Sequence, residues 1–247
     1  LGCFKLALPL VEGKKGIEIG GRSEVFRGWT DPSRNSWLTP LPIYNRVGSL
    51  DNCNFSSKTI WGSHQETYQF SPHKTPGRVI IAEGSDLATV ADDTYDFVLS
   101  CHNLEHFANP VKALKEWERI TRPGGSLILV LPDYRRTFDH RRAPTPVDHM
   151  MEDYLRGVGE DDATHIPELL QLYDVDMDVT LKTHTLEELR LRCADNLANR
   201  CMHHHVFDEV NSREILTRAG LEVIAIELAF PCHIFILARW KAGPREC

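Results

Sequence analysis

Short β-branched runs, each closed by a turn signal, recur from one end of this 247-residue chain to the other. They read KKGIEIGG, GRVIIAEGS, YDFVLSCH, GSLILVLPD, LEVIAIELAF and CHIFILARW. Such runs lack strict apolar–polar alternation, so they suit strands buried on both faces. Between the third and fourth lies a helix pattern, NPVKALKEWERITRPGG, in which Asn109 can cap, Pro110 suits the first turn, and Val111, Leu114, Trp117 and Ile120 share one face. A second helix, NSREILTRAG, is expected to start at Asn211 with Glu214 at its capping-box position and to stop at Gly220. Strand, helix, strand in this order predicts an α/β fold: a mostly parallel sheet with helices on both faces and ligands beyond the carboxyl ends of the strands. The last two strands are separated only by Phe230-Pro231-Cys232, too short for a parallel crossover, so they should pair antiparallel.

Two stretches break the alternation. Residues 27–76 are rich in Pro, Ser, Asn and Trp, with one strand expected near PIYNRVGSLD. Residues 134–202 are polar, His-rich and partly helical (TPVDHMMEDYLRGV, HTLEELRLRCADNLANR), and they read as a cap inserted over the strand ends of one 1–247 domain. Bulk properties narrow the partners. A net charge of −7 gives no field for nucleic acid. Seven scattered cysteines without a CxxC pair point to reduced thiols and a cytoplasmic setting. No apolar run approaches the ~20 residues that span a bilayer, and LGCFKLALPLV lacks the cationic start and cleavage site of a signal peptide. The missing initiator Met suggests a trimmed N-terminus.

Within KKGIEIGGRSEVF, a strand ends in an acid and runs into a glycine turn, but Arg22 and Ser23 stand where a phosphate-binding fingerprint would put more glycines. With EGSDL, then YDFVLSCHNLEHFANPVKALKEWERITRPGGSLILVLPD, then the terminal strand pair, the order of motifs resembles a class I S-adenosylmethionine (SAM)-dependent methyltransferase of the small-molecule "type 11" kind. The resemblance covers residues 14–133 and 203–240. It implies a Rossmann-like sheet of about seven strands with the last antiparallel, SAM as cofactor and S-adenosylhomocysteine as product. It also implies site positions. Glu18 and Gly20 match the acid and first glycine that wrap the methionine part of SAM; Gly21 lies one place early for the second glycine, where Arg22 stands instead. Asp51 matches the acid that accepts from the ribose hydroxyls, its alternative role being an Asx-turn. Gly84, Ser85, Asp86 and Leu87 match the segment along the adenine, and Ser100 and Cys101 the strand end beneath the methionine, with LEH forming a turn.

Methyl transfer to a hydroxyl or ammonium needs alignment and removal of a proton, and a positioned His suits the second task. His102, His140, His149 and His204 are the candidate bases, with His106 structural. His149 and Asp153, four apart, share a helix face and fit either a base with its orienting carboxylate or two metal ligands. In an extended HHH triplet, His203 and His205 point one way and His204 the other. No fixed metal-ligand spacing appears, so no metal is expected. Tyr134, Arg136, Arg141 and Arg142 leave the fifth strand at the ligand edge and suit an anionic group, or else pair with Asp139 and Asp148 as a solvated loop. The expected activity is transfer of methyl from SAM to O or N of a small polar metabolite such as a sugar, amino acid or anion. The alternative is an inactive SAM-binding scaffold of the same fold. An NAD enzyme is disfavoured by the missing G-x-G-x-x-G.

Overall fold

The computed structural model of the chain describes residues 2–27, 41–63, 66–178 and 185–243. In chain order the elements are α1 (Gly2–Val11), β1 (Lys15–Ile19), α2 (Glu24–Arg27), β2 (Ser49–Asn54), β3 (Lys58–Thr59), β4 (Gly62–Ser63), β5 (Thr67–Tyr68), β6 (Gly77–Ile81) and β7 (Tyr95–Cys101). There follow α3 (Pro110–Ile120), β8 (Thr121–Pro132), α4 (Val147–Arg156), α5 (Ile166–Leu172), α6 (Leu186–Ala194), α7 (Asn196–Asn199), α8 (Glu209–Arg218), β9 (Leu221–Ala229) and β10 (His233–Trp240). Among the described residues, eight strands form one sheet in the order β5-β6-β2-β1-β7-β8-β10-β9. Strands β6, β2, β1, β7 and β8 run parallel, and β10 runs antiparallel to both β8 and β9. The Phe230–Cys232 connection thus does what its length dictates. The eighth strand, one more than expected, is β5, a two-residue edge strand antiparallel to β6.

Alternate side chains of the central strands feed two separate cores, as a pleat of period two requires. Val98, Leu127 and Leu129 meet Val111, Leu114 and Trp117 of α3 and Ile215 of α8 on one face. Phe97, Leu99, Ile128 and Val130 meet Ala7, Leu10 and Val11 of α1 on the other. The apolar N-terminal segment is therefore a helix that covers the sheet, a role its composition alone does not reveal. Asn109 caps α3 as expected, accepting the Lys112 N–H at 2.9 Å. Helix α8 begins two residues before the expected Asn211. Asp208 is its N-cap, and Asn211 completes a capping box from the third position. The 134–202 segment lies between β8 and α8 and carries its own small apolar cluster of Leu169, Tyr173, Leu189, Cys193 and Met202. No helix among the described residues is long and apolar enough to cross a membrane.

Candidate active site

A cavity of about 440 Å³ opens at the carboxyl ends of β1, β2, β6 and β7, where an open parallel sheet binds its ligands. Its floor is the loop after β1. Gly20 adopts φ 101°, a conformation that favours glycine, and its N–H donates to the Cys53 carbonyl at 2.9 Å. Gly21 and Arg22 line the cavity, with nothing within 4 Å of the point where a Gly21 Cβ would lie. The Arg22 guanidinium turns to the Gln69 carbonyl at 3.0 Å, so it borders the loop without distorting it.

Glu18 does not line this cavity, contrary to a direct role against the methionine part of a cofactor. It is fully buried beneath the loop, accepting from the Tyr44 hydroxyl at 2.8 Å, from the Tyr68 hydroxyl, and from the Ser23 N–H at 3.2 Å. Burial pushes its carboxyl up to about 8 against the hydrogen bonds from the two tyrosines and Ser23. Its work is to hold the shape of the glycine loop.

Asp51 also misses the cavity. It sits inside β2 rather than at its end, where it accepts from the Arg78 N–H at 2.8 Å, the Arg78 guanidinium at 3.0 Å and the Tyr95 hydroxyl at 2.9 Å. Burial acts to raise its carboxyl, but Arg78 and Tyr95 outweigh it and hold it below the ordinary range. Cys53 and Asn54 reach the cavity from the end of β2, with Phe55 just after it, and the acids that line it are Glu24, Glu83 and Glu160, Glu83 being paired with Arg200 of the inserted segment. Arg200 also lies 5.3 Å over the Phe55 ring. Of the predicted adenine segment only Gly84 lines the cavity. Ser85 is buried, Asp86 is exposed, and Leu87 belongs to the core with its N–H on Glu116 at 2.6 Å. Ser100 is buried in β7 and Cys101 reaches the cavity.

The donor set fits SAM. Phe55, Phe107, Ile19 and Trp61 give apolar walls for a purine, Glu83 and Glu24 offer carboxylates, and the buried Nδ2 of Asn103 has no partner. An unsatisfied amide at the glycine loop is a donor that awaits an acceptor such as a carboxylate.

A second pocket of about 160 Å³ shares Trp61, His102 and His106 with the first and adds Glu105, Arg136, Thr137, Cys232 and His203. His102, at φ 47°, holds its Nε2 2.8 Å from His233 Nδ1. Burial, helped by His233 and His203, pushes His102 down to about 3, and burial alone takes His233 to about 4. Both rings are therefore neutral and poor bases. His203 is placed differently: its Nδ1 lies 2.6 Å from Asp139, and Asp139 is 2.9 Å from the buried Arg142. Burial acts to raise Asp139, but His203 and Arg142 outweigh it and hold it below the ordinary carboxylate range. An ionised carboxylate on Nδ1 fixes the imidazole tautomer with Nε2 free to take a proton. Beside it, Glu105 is 1% exposed, and the Asn103 and Glu105 N–H groups point toward its carboxylate without meeting hydrogen-bond geometry. Burial pushes Glu105 up to about 7 against the pull of His203.

The other predicted residues lie elsewhere. His140 and Arg141 both contact Asp174, at 2.8 and 2.7 Å, and line neither pocket. Arg142 is fully buried and donates to the carbonyls of His203 and His204, so it builds the triplet segment and cannot meet a substrate. Tyr134 lines neither pocket, whereas Arg136 lines the second. His204 is fully buried against Asn196, and burial with neighbouring His165 takes it down to about 3. His149 faces His165 and Asp153, away from both pockets. His184, a further histidine of the inserted segment, lies outside the described residues. The sequence reading named Glu105 only within the LEH turn, His203 only as a member of the triplet and Asp139 only as an arginine partner, and it did not bring the three together. The alternation of the triplet was the one signal that separated His203 from His204.

Residues 50–129 match the family model described as "Methyltransferase domain". Among solved structures, the chain is similar to an S-adenosylmethionine-dependent methyltransferase from Mesorhizobium loti, with 15% identity, 96% of each chain covered and a TM-score of 0.53. It is similar to a SAM-dependent methyltransferase from Aquifex aeolicus, with 13% identity, 96% of this chain and 88% of that one covered, and a TM-score of 0.51. One from Methanosarcina mazei gives 13% identity, 96% and 98% coverage and a TM-score of 0.51. No curated protein matches the chain. The chain has the class I methyltransferase fold that its motifs resemble, and the match over β2 to β8 falls on the segment that builds most of the cavity.

Proposed function

We propose that this chain, with its class I methyltransferase fold, transfers the methyl group of SAM to an oxygen or nitrogen of a small polar metabolite. The carrying observation is the pairing of two adjoining pockets: a glycine-floored cavity of cofactor size, and a smaller one lined by His203, with the buried Asp139 behind its ring. SAM, when bound, supplies an electrophilic methyl on a sulfonium. Gly20 and Gly21 allow close approach of the loop backbone, and Asn103 and Glu24 are the polar groups at the methionine end. Phe55, Phe107 and Glu83 suit the adenosine. The acceptor lies in the second pocket, where Arg136 takes an anionic group. His203 Nε2 receives the acceptor proton while Asp139 holds Nδ1–H, and Glu105 orients the hydroxyl or ammonium. Proton removal by a placed base is worth ~10²–10⁴ in rate.

Calorimetric titration with SAM, S-adenosylhomocysteine and NAD tests the cofactor. Saturable SAM binding lost in Gly21→Phe, which would fill open space, is expected, and NAD binding in place of SAM would sink the reading. A metabolite screen with methyl-labelled SAM then supplies the acceptor. Single-turnover transfer should fall by ~10²-fold or more in His203→Asn and remain near normal in His140→Ala. An unchanged rate in His203→Asn would mean that alignment alone does the work.

A further inference from the structure

Outside both pockets, four metal-ligating side chains converge where the inserted segment meets the body of the protein. His149 and Asp153 are one turn apart on α4, His165 stands just before α5, and His205 ends the triplet. His149 Nε2 is 3.4 Å from Asp153 Oδ2 and 3.2 Å from His165 Nε2; His205 Nε2 is 3.7 Å from Asp153 Oδ2. All four donor atoms lie within 4.8 Å of one another. An ion held tetrahedrally at ~2.0–2.1 Å keeps its ligands about 3.3–3.4 Å apart, close to the 3.2, 3.4 and 3.7 Å found between His149 and His165, His149 and Asp153, and His205 and Asp153.

Two buried atoms lack partners here. Asp153 is 5% exposed, and its Oδ2 accepts no hydrogen bond, although a buried carboxylate oxygen ordinarily must. His205 is fully buried with no partner on Nδ1, and its Nε2 has only the Ala108 carbonyl at 3.3 Å, at the weak end of hydrogen-bond range. Hydrogen bonding among the four therefore leaves the cluster incompletely satisfied. A cation at its centre would meet Asp153 Oδ2 and one nitrogen of each ring, which on His205 is Nε2, the ring proton then resting on Nδ1.

We propose that His149, Asp153, His165 and His205 bind one Zn²⁺ as a structural site that ties the inserted segment to the strand ends. Three imidazoles and one carboxylate suit zinc, whereas magnesium and calcium prefer oxygen. Four protein ligands close the coordination, as in structural sites, and none of the four lines either pocket. His149, with its side chain 38% exposed, gives the ion a way in. The site would fix His205, two residues from His203, and so hold the segment that carries the proposed base. It stands or falls independently of methyl transfer.

The test uses the full chain without a histidine tag, stripped with a chelator and titrated with Zn²⁺ against a chromophoric competitor. About one equivalent should bind, and Co²⁺ should give the intense visible bands of a tetrahedral site. His149→Ala and Asp153→Asn should each weaken Zn²⁺ binding by more than ~100-fold, beyond the 10–100-fold that loss of an outer partner costs. His140→Ala should bind as wild type. Zn²⁺ should raise the unfolding midpoint of wild type and not of His149→Ala, whose half-exposed site makes it the variant that retains its fold by circular dichroism. Absence of saturable Zn²⁺ binding, an octahedral Co²⁺ spectrum, or undiminished binding in the His149→Ala, Asp153→Asn double variant would overturn the proposal.

Discussion

Replacing Glu18 by Gln should remove a large part of the pH dependence of stability. In the folded chain Glu18 is fully buried and its carboxyl titrates at about 8, against an ordinary value of 4.5. The folded pKa is the higher one, so the unfolded chain gives up its proton first as pH rises. Between the two values each pH unit costs the native state about 1.4 kcal/mol. The associated stability is fully present below 4.5 and is lost as pH rises through 8. From pH 5 to pH 8 the two-state expression gives a loss of about 3.5 kcal/mol attributable to this one group. Gln is nearly isosteric with the protonated acid and does not titrate. Tyr44, Tyr68 and Ser23 can still bond one oxygen, and a tyrosine hydroxyl can turn to accept from the amide.

The comparison is made by urea unfolding of wild type and Glu18→Gln at pH 5, 6, 7 and 8. Other groups titrate in this window, Glu105 and Glu160 at about 7 among them, but they contribute equally to both proteins and cancel in the difference. The difference in unfolding free energy should swing by about 3.5 kcal/mol in favour of the variant between pH 5 and 8. A swing below ~1 kcal/mol would refute the reasoning: Glu18 would then be ionised at neutral pH and must have water or a cation that this packing does not provide.

Three further substitutions probe other parts of the argument. Arg142→Ala leaves Asp139 buried without its guanidinium and frees the carbonyls of His203 and His204, so it should cost ~3–5 kcal/mol in urea unfolding. Asp208→Ala removes the cap that accepts the Val210 and Asn211 N–H groups at 2.9 and 2.8 Å, for a loss of about 1 kcal/mol by the same assay. In Gly84→Ala the new Cβ would lie 2.8 Å from Phe107 Cζ and 2.9 Å from Ile19 Cγ2, so thermal unfolding should report a loss of ~1–3 kcal/mol and calorimetry weaker SAM binding.

The parts of the fold that sequence revealed are those where one physical rule acts locally. Central strands buried on both faces must read as apolar runs, a capped helix must begin at a residue such as Asn109, and a three-residue link between strands must make an antiparallel pair. The second strand escaped clear detection because SLDNCN carries polar residues that are satisfied from afar: Asp51 by Arg78 and Tyr95, and Asn52 by the backbone oxygens of Glu18 and Gly20. The same distinction decides the site. The glycine loop and the strand end at Cys101 are set by their own neighbours and were legible. Which histidine of the triplet lines the second pocket is set by Asp139 and Arg142, more than 60 residues earlier, so alternation could separate His203 from His204 but could not say which side was the pocket. Glu105 was hidden by its company, since LEH reads as a turn and only the tertiary fold brings His203 beside it and withholds hydrogen bonds from its carboxylate. A residue whose role depends on partners distant in sequence leaves no periodicity to read. The inserted segment, which carries Asp139, Arg142 and Arg200, and the triplet that follows it, which carries His203, are therefore where sequence inference was weakest.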